Sequence, residues 1–168
     1  MPLKHPVGSM PDNLTPAQRS WTMSRIRSRD TTPELTIRRL VHARGLRFRK
    51  HVGRLAGRPD LVFAGSKVVV FVDGDFWHGW KLHFWKHKLT PYWQEKIQRN
   101  RSRDNRNFRQ LHEQGWMVIR LWEHDVMAKP EMCIDRIERA VRRRRGFSRN
   151  GDHGGTPTQG LEAPRASA

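Results

Sequence analysis

The run 67–72, KVVVFV, constrains the fold more than any other feature of the sequence. It is almost wholly apolar, rich in β-branched residues, and bounded by Gly65-Ser66 before it and Asp73-Gly74 after it. A short continuous apolar run between turn residues is typical of a strand that is covered on both faces. Covering both faces of a sheet requires helices on each side, so the run predicts an α/β domain.

Three Thr-Pro pairs predict where helices begin, because each combines a capping residue with a first-turn proline. These pairs are Thr15-Pro16, Thr32-Pro33 and Thr90-Pro91, and the helices that follow are predicted to end near residues 26, 45 and 114. A fourth helix is predicted over 130–145, and strands over 46–52, 60–64, 67–72 and 116–122. The order predicts a sheet with helices packed on its faces.

The charge of the chain is concentrated in one part of it. Lys and Arg number 33 against 16 acidic residues, and the formal charge of +17 lies wholly on residues 19–145, since both flanks sum to zero. A folded domain this basic needs a polyanion, and nucleic acid is the predicted partner. Composition alone leaves a ribosomal-type or membrane-surface basic protein open.

The organisation of the chain follows from the same patterns. A length of 168 residues suits one domain, which we place at 14–145. Residues 1–13 are predicted to be a flexible arm, and 146–168, rich in Gly, Ser, Thr and Pro, a disordered tail. One cysteine, Cys133, allows no internal disulfide, and no apolar run has the length of a membrane span. We therefore expect a cytoplasmic, nucleoid-associated monomer without a membrane partner.

Acidic residues follow the predicted strands at places where they could meet. Asp60 begins a strand, and Asp73 and Asp75 come directly after the next one. Two strands joined as a hairpin would bring Asp60 close to Asp73, and clustered oxygens suit a hard cation such as Mg²⁺. The alternative is that these are turn residues at strand ends.

A histidine and a polar stripe add to the predicted site. His78 lies in the dense stretch 73–78, where a group with near-neutral pKa could act as general base, with Glu34 as a carboxylate that fixes its tautomer. On the third helix, Asn100 and Asp104 stand where the apolar stripe should continue. Such residues serve a buried network or a site, unless the helix is tilted there.

Several of these motifs together resemble a known family. They are Gly57-Arg-Pro-Asp60, Val70-Phe-Val-Asp-Gly-Asp-Phe-Trp-His78, Tyr92-Trp-Gln-Glu-Lys-Ile97, Asn100, Arg103-Asp104, Gly115-Trp116, Trp122-Glu123 and the earlier Arg29-Asp-Thr-Thr-Pro-Glu34. In this order, over 19–145, the sequence resembles the very short patch repair endonucleases. The resemblance implies a restriction-endonuclease-like α/β fold, of the PD-(D/E)XK type, with a central mixed sheet flanked by helices. It also implies Mg²⁺-dependent nicking of double-stranded DNA beside T·G mismatches left by deamination of 5-methylcytosine.

The resemblance also implies roles for individual residues. Asp60 resembles the metal-binding aspartate, the backbone carbonyl near Val72 a second metal ligand, and His78 the catalytic histidine supported by Glu34. Asp73 takes a site position at which some members have histidine, and we assign it to catalysis and metal binding. Phe76, Trp77 and Trp93 resemble aromatics that wedge into the duplex, although tryptophans are more often core residues. The arginines expected to bind DNA are Arg25, Arg27, Arg29, Arg58, Arg99 and Arg103.

One departure from the family concerns zinc. Members usually hold a structural zinc through cysteines after the third strand and after the Trp-Glu pair. Here these places read Asp75, Trp80 or Leu82, and His124. Asp75, His83 and His124 would make a poor site, because structural zinc is normally bound by four ligands rich in Cys and His. We therefore expect no structural zinc.

Two other functions remain open at this stage. One is a nuclease of the same fold with another target, of the restriction or mobile-element type, which would cut matched duplex. The other is a non-catalytic basic DNA-binding protein. The second is disfavoured because a binder has no need of acids such as Glu34, Asp60 and Asp73 facing DNA.

Overall fold

The computed structural model describes residues 15–25, 29–50 and 52–150. Its elements in chain order are α1 Pro16–Arg25, α2 Thr32–Ala43, β1 Leu61–Phe63, β2 Val68–Asp73, α3 Leu82–Trp85, α4 Pro91–Glu113, β3 Met117–Trp122, α5 Glu123–Ala128 and α6 Pro130–Asn150. None of the helices described is both long and apolar enough to cross a membrane.

The predicted helix starts are confirmed to within one residue. α1 begins at Pro16, and Thr15 and Gln18 exchange hydrogen bonds between side chain and backbone as a capping box does. α4 begins at Pro91, after Thr90 in an extended conformation. For α2 the cap is Thr31, one residue earlier than predicted, so its proline takes the second helical position.

The sheet is mixed, as predicted, with strand order β1-β2-β3. β1 and β2 form an antiparallel hairpin through the 3₁₀ turn Ala64–Ser66, whereas β3 lies parallel to β2. Parallel neighbours need a crossover connection, and the segment that contains α3 and α4 provides it. The register pairs Asp73 with Trp122, so β2 and β3 end together.

Side chains of β2 alternate between two cores, which explains its unbroken apolar run. Val68 and Val70 pack with residues of α2, α5 and α6, including Ile37 and Ile137. Their neighbours Val69 and Phe71 face the other way and pack against Leu111 of α4. The alternation places the next residue of the second set, Asp73, on the α4 face as well.

Two predicted boundaries are wrong. Among the described residues, the predicted strand 46–52 reduces to a single bridge between Arg49 and Val62 of the three-residue strand β1. The last helix runs to Asn150, so a tail beginning at 146 cuts into it. The arm 1–13, and the tail from 151 onward, lie outside the described residues and stay predictions.

Candidate active site

Asp60 lies beside the end of β2, where the hairpin was predicted to place it. Its backbone N–H donates to the Val70 carbonyl at 2.9 Å, and its Oδ2 accepts the Val72 N–H at 2.7 Å. Burial raises the pKa of Asp60 to about 7, the Val72 N–H opposes this, and the nearby carboxylates of Glu34 and Asp73 raise it further. The ionised form of Asp60 is therefore poorly compensated by the groups around it.

His78 lies between two carboxylates. Its Nδ1 is 2.5 Å from Oδ2 of Asp104, on α4, and its Nε2 is 3.4 Å from Oδ1 of Asp73. An ionised carboxylate only accepts hydrogen bonds, so the shorter contact, with Asp104, favours the tautomer that carries its proton on Nδ1. The polar interruption of the α4 stripe therefore marks a buried polar network, as the sequence analysis allowed, and Asp104 is the carboxylate in closest contact with His78.

Arg120 joins both carboxylates and was missed by the sequence analysis. Its Nε lies 2.5 Å from Oδ2 of Asp73, and its Nη2 lies 3.2 Å from Oδ2 of Asp104. Burial raises the pKa of Asp73, while His78 and Arg120 oppose that rise. The available signal was one arginine inside the otherwise apolar run of β3, on the same strand face as Val118.

The prediction that Glu34 supports His78 is wrong. Glu34 is buried at the start of α2, where its Oε1 accepts the Thr31 hydroxyl at 3.0 Å. Its Oε2 accepts the backbone N–H of Asp30 at 3.0 Å and Arg38 Nη2 at 2.9 Å. Both oxygens are thus committed to the helix start, although Glu34 still lines the cleft that holds Asp60.

These residues surround one cleft of about 790 Å³ with a clear arrangement of charge. Its acidic and imidazole groups, Glu34, Asp60, Asp73, His78 and Asp104, are buried or partly buried. Its arginines are exposed at the rim, and they are Arg29, Arg58 and Arg103. Cations at the mouth attract a phosphate backbone, and an acidic interior holds groups that a phosphodiester cleavage needs.

Two sets of residues in this cleft could hold a metal ion. Asp73, His78 and Asp104 have ligand atoms within 4.8 Å of one another, and they form the one such three-residue group in the part of the chain that is described. Arg120 already supplies a positive charge to this group. Asp60 has no cation in direct contact among its described partners, so the Asp60 side fits a hard cation better.

The three predicted aromatics are brought together beside the cleft. Phe76 is 5.0 Å from Trp77 and 5.5 Å from Trp93, between ring centroids, and Trp85 stacks on Phe76 at 5.7 Å. All four rings are half-buried. Asn100, the other polar residue of the α4 stripe, donates to the Trp77 carbonyl at 3.0 Å. The cluster is packed on itself and keeps part of its surface open.

The remaining predicted arginines are more scattered. Arg99 is exposed on α4 and pairs with Glu95 at 2.8 Å. Arg25 is exposed on α1, with its guanidinium 4.0 Å from the ring centroid of Trp21. Arg27 lies outside the described residues. The structure thus gathers half of the six predicted arginines, those at the rim, at one place.

The positions at which zinc was considered do not form one site. Nδ1 of His124 is 2.8 Å from Oδ1 of Asp75, and the ring of His124 packs on Trp80 at 4.2 Å. His83 is exposed and packs on Phe84 at 3.9 Å. It does not join Asp75 and His124 in a group of potential ligands among the described residues.

The cleft has an acidic interior and a cationic rim, and its histidine is hydrogen-bonded to a carboxylate. This combination is typical of a nuclease. Comparison with known proteins gives the particular family. The sequence model described as "DNA mismatch endonuclease Vsr" matches residues 11–87. The chain is 40% identical to the type II nicking enzyme V.NmeDIP of Neisseria meningitidis serogroup C over 141 residues, which cover 82% of this chain and 95% of that protein.

Further relatives agree with this. The type II nicking enzyme V.XorIIP of Xanthomonas oryzae is 42% identical, over 68% of this chain and 85% of its own length. DNA mismatch endonuclease Vsr of Escherichia coli K12 is 39% identical, over 68% of this chain and 74% of its own. The chain belongs to the Vsr family of DNA mismatch endonucleases, which confirms the resemblance inferred from its motifs.

Proposed function

We propose that this endonuclease nicks one strand of double-stranded DNA beside a T·G mismatch, by Mg²⁺-assisted hydrolysis of a phosphodiester bond. The observation that carries the proposal is His78, oriented by Asp104 and facing the cleft that also holds Asp60. The names of the relatives, nicking enzymes and a mismatch endonuclease, support cleavage of a single strand at a mispair.

In this proposal His78 acts as the general base. Its Nε2 lone pair accepts a proton from the attacking water, and the carboxylates of Asp104 and Asp73 stabilise the imidazolium that results. Arg120 holds both carboxylates in place from β3. The rim arginines Arg58 and Arg103 bind the phosphates that flank the scissile bond.

Asp60 would hold the magnesium ion, together with the Val72 carbonyl. The Val72 N–H points at Asp60, and in a strand the N–H and C=O of one residue point to the same side, so its carbonyl also faces Asp60. Asp73, at the end of the same strand, offers a further oxygen. The oxygen donors and the poorly compensated charge of Asp60 fit a hard cation, which would stabilise negative charge on the reacting phosphate.

Mismatch selection would come from the aromatic cluster. A mispaired step is cheaper to unstack than a matched one, and enzymes that insert side chains gain selectivity from that difference. Trp77 immediately precedes His78, so a ring inserted at the mispair would place the scissile phosphate close to that mispair. The mixed sheet and its acidic strand ends also support a restriction-endonuclease-like fold. Action as a monomer on nucleoid DNA belongs to the same proposal.

The test is nicking of one labelled duplex in three forms: T·G, matched T·A and matched C·G. With Mg²⁺ we expect a nick in one strand of the T·G duplex and none without the ion. Equal cleavage of matched duplexes would indicate a restriction-type or mobile-element nuclease. Binding without cleavage under every divalent ion would leave only the DNA-binding role.

A further inference from the structure

We propose that Asp75 and His124 form a metal-free clasp that positions His78. The inference rests on the proposed role of His78 as general base, and it assigns to this pair a function that depends on geometry alone. Asp75 and His124 touch neither Asp60 nor the rim arginines among the contacts described, so they are positioning residues rather than catalytic ones.

The segment that carries His78 is itself neither helix nor strand. Residues 74–81 form consecutive turns, in which the N–H of His78 donates to the Gly74 carbonyl at 3.2 Å and that of Trp80 to the Asp75 carbonyl at 2.9 Å. Turns of this kind keep a side chain in place only if the segment is anchored from outside.

Both ends of the segment are anchored on the same residue. Near the start of the segment, Asp75 Oδ1 is hydrogen-bonded to Nδ1 of His124 at 2.8 Å. Near its end, the ring of Trp80 packs on the ring of His124, with 4.2 Å between the centroids. The carbonyl of Trp80 also accepts the indole N–H of Trp85 at 2.8 Å. His124 lies two residues beyond β3, the strand that carries Arg120. The clasp therefore connects the segment 74–81 to β3, whose Arg120 pairs with the two carboxylates beside His78, Asp73 and Asp104.

The chemistry of these residues does not fit the structural zinc that members of the family usually hold. Asp75 and His124 are hydrogen-bonded to each other, so each uses a potential metal ligand in that bond. Trp80 has no atom that binds zinc and packs its ring on His124. His83 is exposed and packs on Phe84, away from this pair. A four-coordinate zinc site needs four such donors. In this chain a carboxylate–imidazole hydrogen bond and an aromatic contact take the place of the metal cross-link.

The test is a double-mutant cycle with single-turnover nicking at saturating T·G duplex. We expect Asp75→Ala and His124→Phe each to lower the rate roughly 10- to 100-fold, the usual effect of a misplaced reacting group, with unchanged duplex affinity. The double variant should lose no more than the worse single one. Asp75→Asn keeps an acceptor for His124 and should stay near the parent rate.

Asp125 provides the matched control, because its carboxylate lies 3.3 Å from the other nitrogen of the same imidazole but follows His124 on α5 and so does not join it to the segment 74–81. Asp125→Asn should leave the rate unchanged. Hydrogen–deuterium exchange supplies a readout independent of cleavage: Asp75→Ala should expose the amides of 74–81 while α4 and β3 stay protected. Elemental analysis should find much less than one zinc per chain, and chelator should not lower the melting temperature.

Additive losses, equal loss in Asp125→Asn, or unchanged amide protection in Asp75→Ala would overturn the clasp. So would one retained zinc per chain whose removal loosens 74–81. If the parent itself fails to nick T·G duplex, the proposed function fails, and the exchange and zinc measurements still decide whether the clasp exists.

Discussion

His78 shows how one side chain acquires a role from its neighbours. Asp104 lies 2.5 Å from its Nδ1, and Asp73 lies 3.4 Å from its Nε2 on the other side of the ring. Glu34, the carboxylate expected to do this, is held at the start of α2 by Thr31 and Arg38 instead. The proposed role of His78 as general base therefore depends on which carboxylate contacts its imidazole.

His78→Ala should lower the nicking rate by about two to four orders of magnitude, the usual contribution of a general base. Asp104→Asn should also slow nicking, because an amide no longer fixes the tautomer or stabilises the imidazolium. Glu34→Gln should cost less, since Glu34 acts through the helix start. Single-turnover rates at saturating duplex would measure all three, and near-parent turnover by His78→Ala would remove this residue from the mechanism.

Asp60→Asn should abolish nicking, keep DNA binding and raise the melting temperature of the metal-free protein. Burial raises the pKa of Asp60 to about 7, so the folded state holds its proton more tightly than the unfolded state does. The contribution of this group to stability therefore falls as pH rises from about 4 to 7, and stays low above that. The asparagine amide carries no charge, so it removes the free-energy cost of burying an ionised carboxylate, and its oxygen can still accept the Val72 N–H.

The measurement is thermal unfolding at pH 5 and pH 8, with and without Mg²⁺. We expect the gain of Asp60→Asn over the parent to reach a few degrees at pH 8 and to shrink at pH 5. Added Mg²⁺ should stabilise the parent only. An equal response of both proteins to Mg²⁺ would place the ion elsewhere.

At the scale of elements, the segment 74–81 and helix α4 form one unit. Asp104 and Asn100 of α4 contact His78 and the Trp77 carbonyl, and Ile97 packs under Gly79. Gly79 has φ +66°, and a Cβ there would lie 2.8 Å from Cγ2 of Ile97. Both the backbone conformation and the close approach require glycine at this place.

Gly79→Ala should therefore destabilise the protein by about 1–3 kcal/mol and slow nicking, because the segment must move away from α4. Gly65→Ala is the control, since a Cβ at that glycine meets nothing within 4 Å. Chemical denaturation gives the free energy of unfolding of each variant. A fully stable Gly79→Ala would mean that the contact with Ile97 is not tight in solution.

Trp77→Ala should fold, melt within a few degrees of the parent, and lose its preference for T·G over T·A. The half-buried ring contacts Phe76 and Trp93, and base stacking of about 1–3 kcal/mol corresponds to roughly tenfold or more in affinity. Phe84→Ala serves as control, because Phe84 is 66% exposed on α3 and packs on His83 rather than on this cluster. Early unfolding, or a folded variant with full preference, would assign Trp77 to the core.

At the scale of the whole molecule, the +17 charge favours binding to any duplex, and the rim arginines direct that binding to the cleft. Each phosphate contact contributes about 0.9 to the slope of log affinity against log salt concentration. Arg58→Ala and Arg103→Ala should each reduce that slope by about one. Arg142→Ala is the control, because Arg142 lies on α6 and pairs with Glu138, and it should leave the slope unchanged. Unchanged slopes at the rim would locate the DNA on another face.

The sequence by itself determined the helix starts, the buried strand and the proximity of Asp60 to the end of β2. These features depend on local rules: proline fixes the first turn, an unbroken apolar run fixes burial, and a hairpin fixes which residues face each other. Asp104 was visible as a polar residue on an apolar stripe, but its partner was not.

Only the tertiary structure decided the partners across the site. His78 and Asp104 are 26 residues apart, Asp104 and Arg120 are 16 apart, and Asp75 and His124 are 49 apart. The first two pairs form only when α4 packs on the face of β2 and β3, and that docking is set by the packing of many apolar side chains at once. The third forms because β2 and β3 end side by side. No local pattern encodes it, so the sequence pointed to Glu34 as the carboxylate beside His78, whereas the structure places Asp104 there.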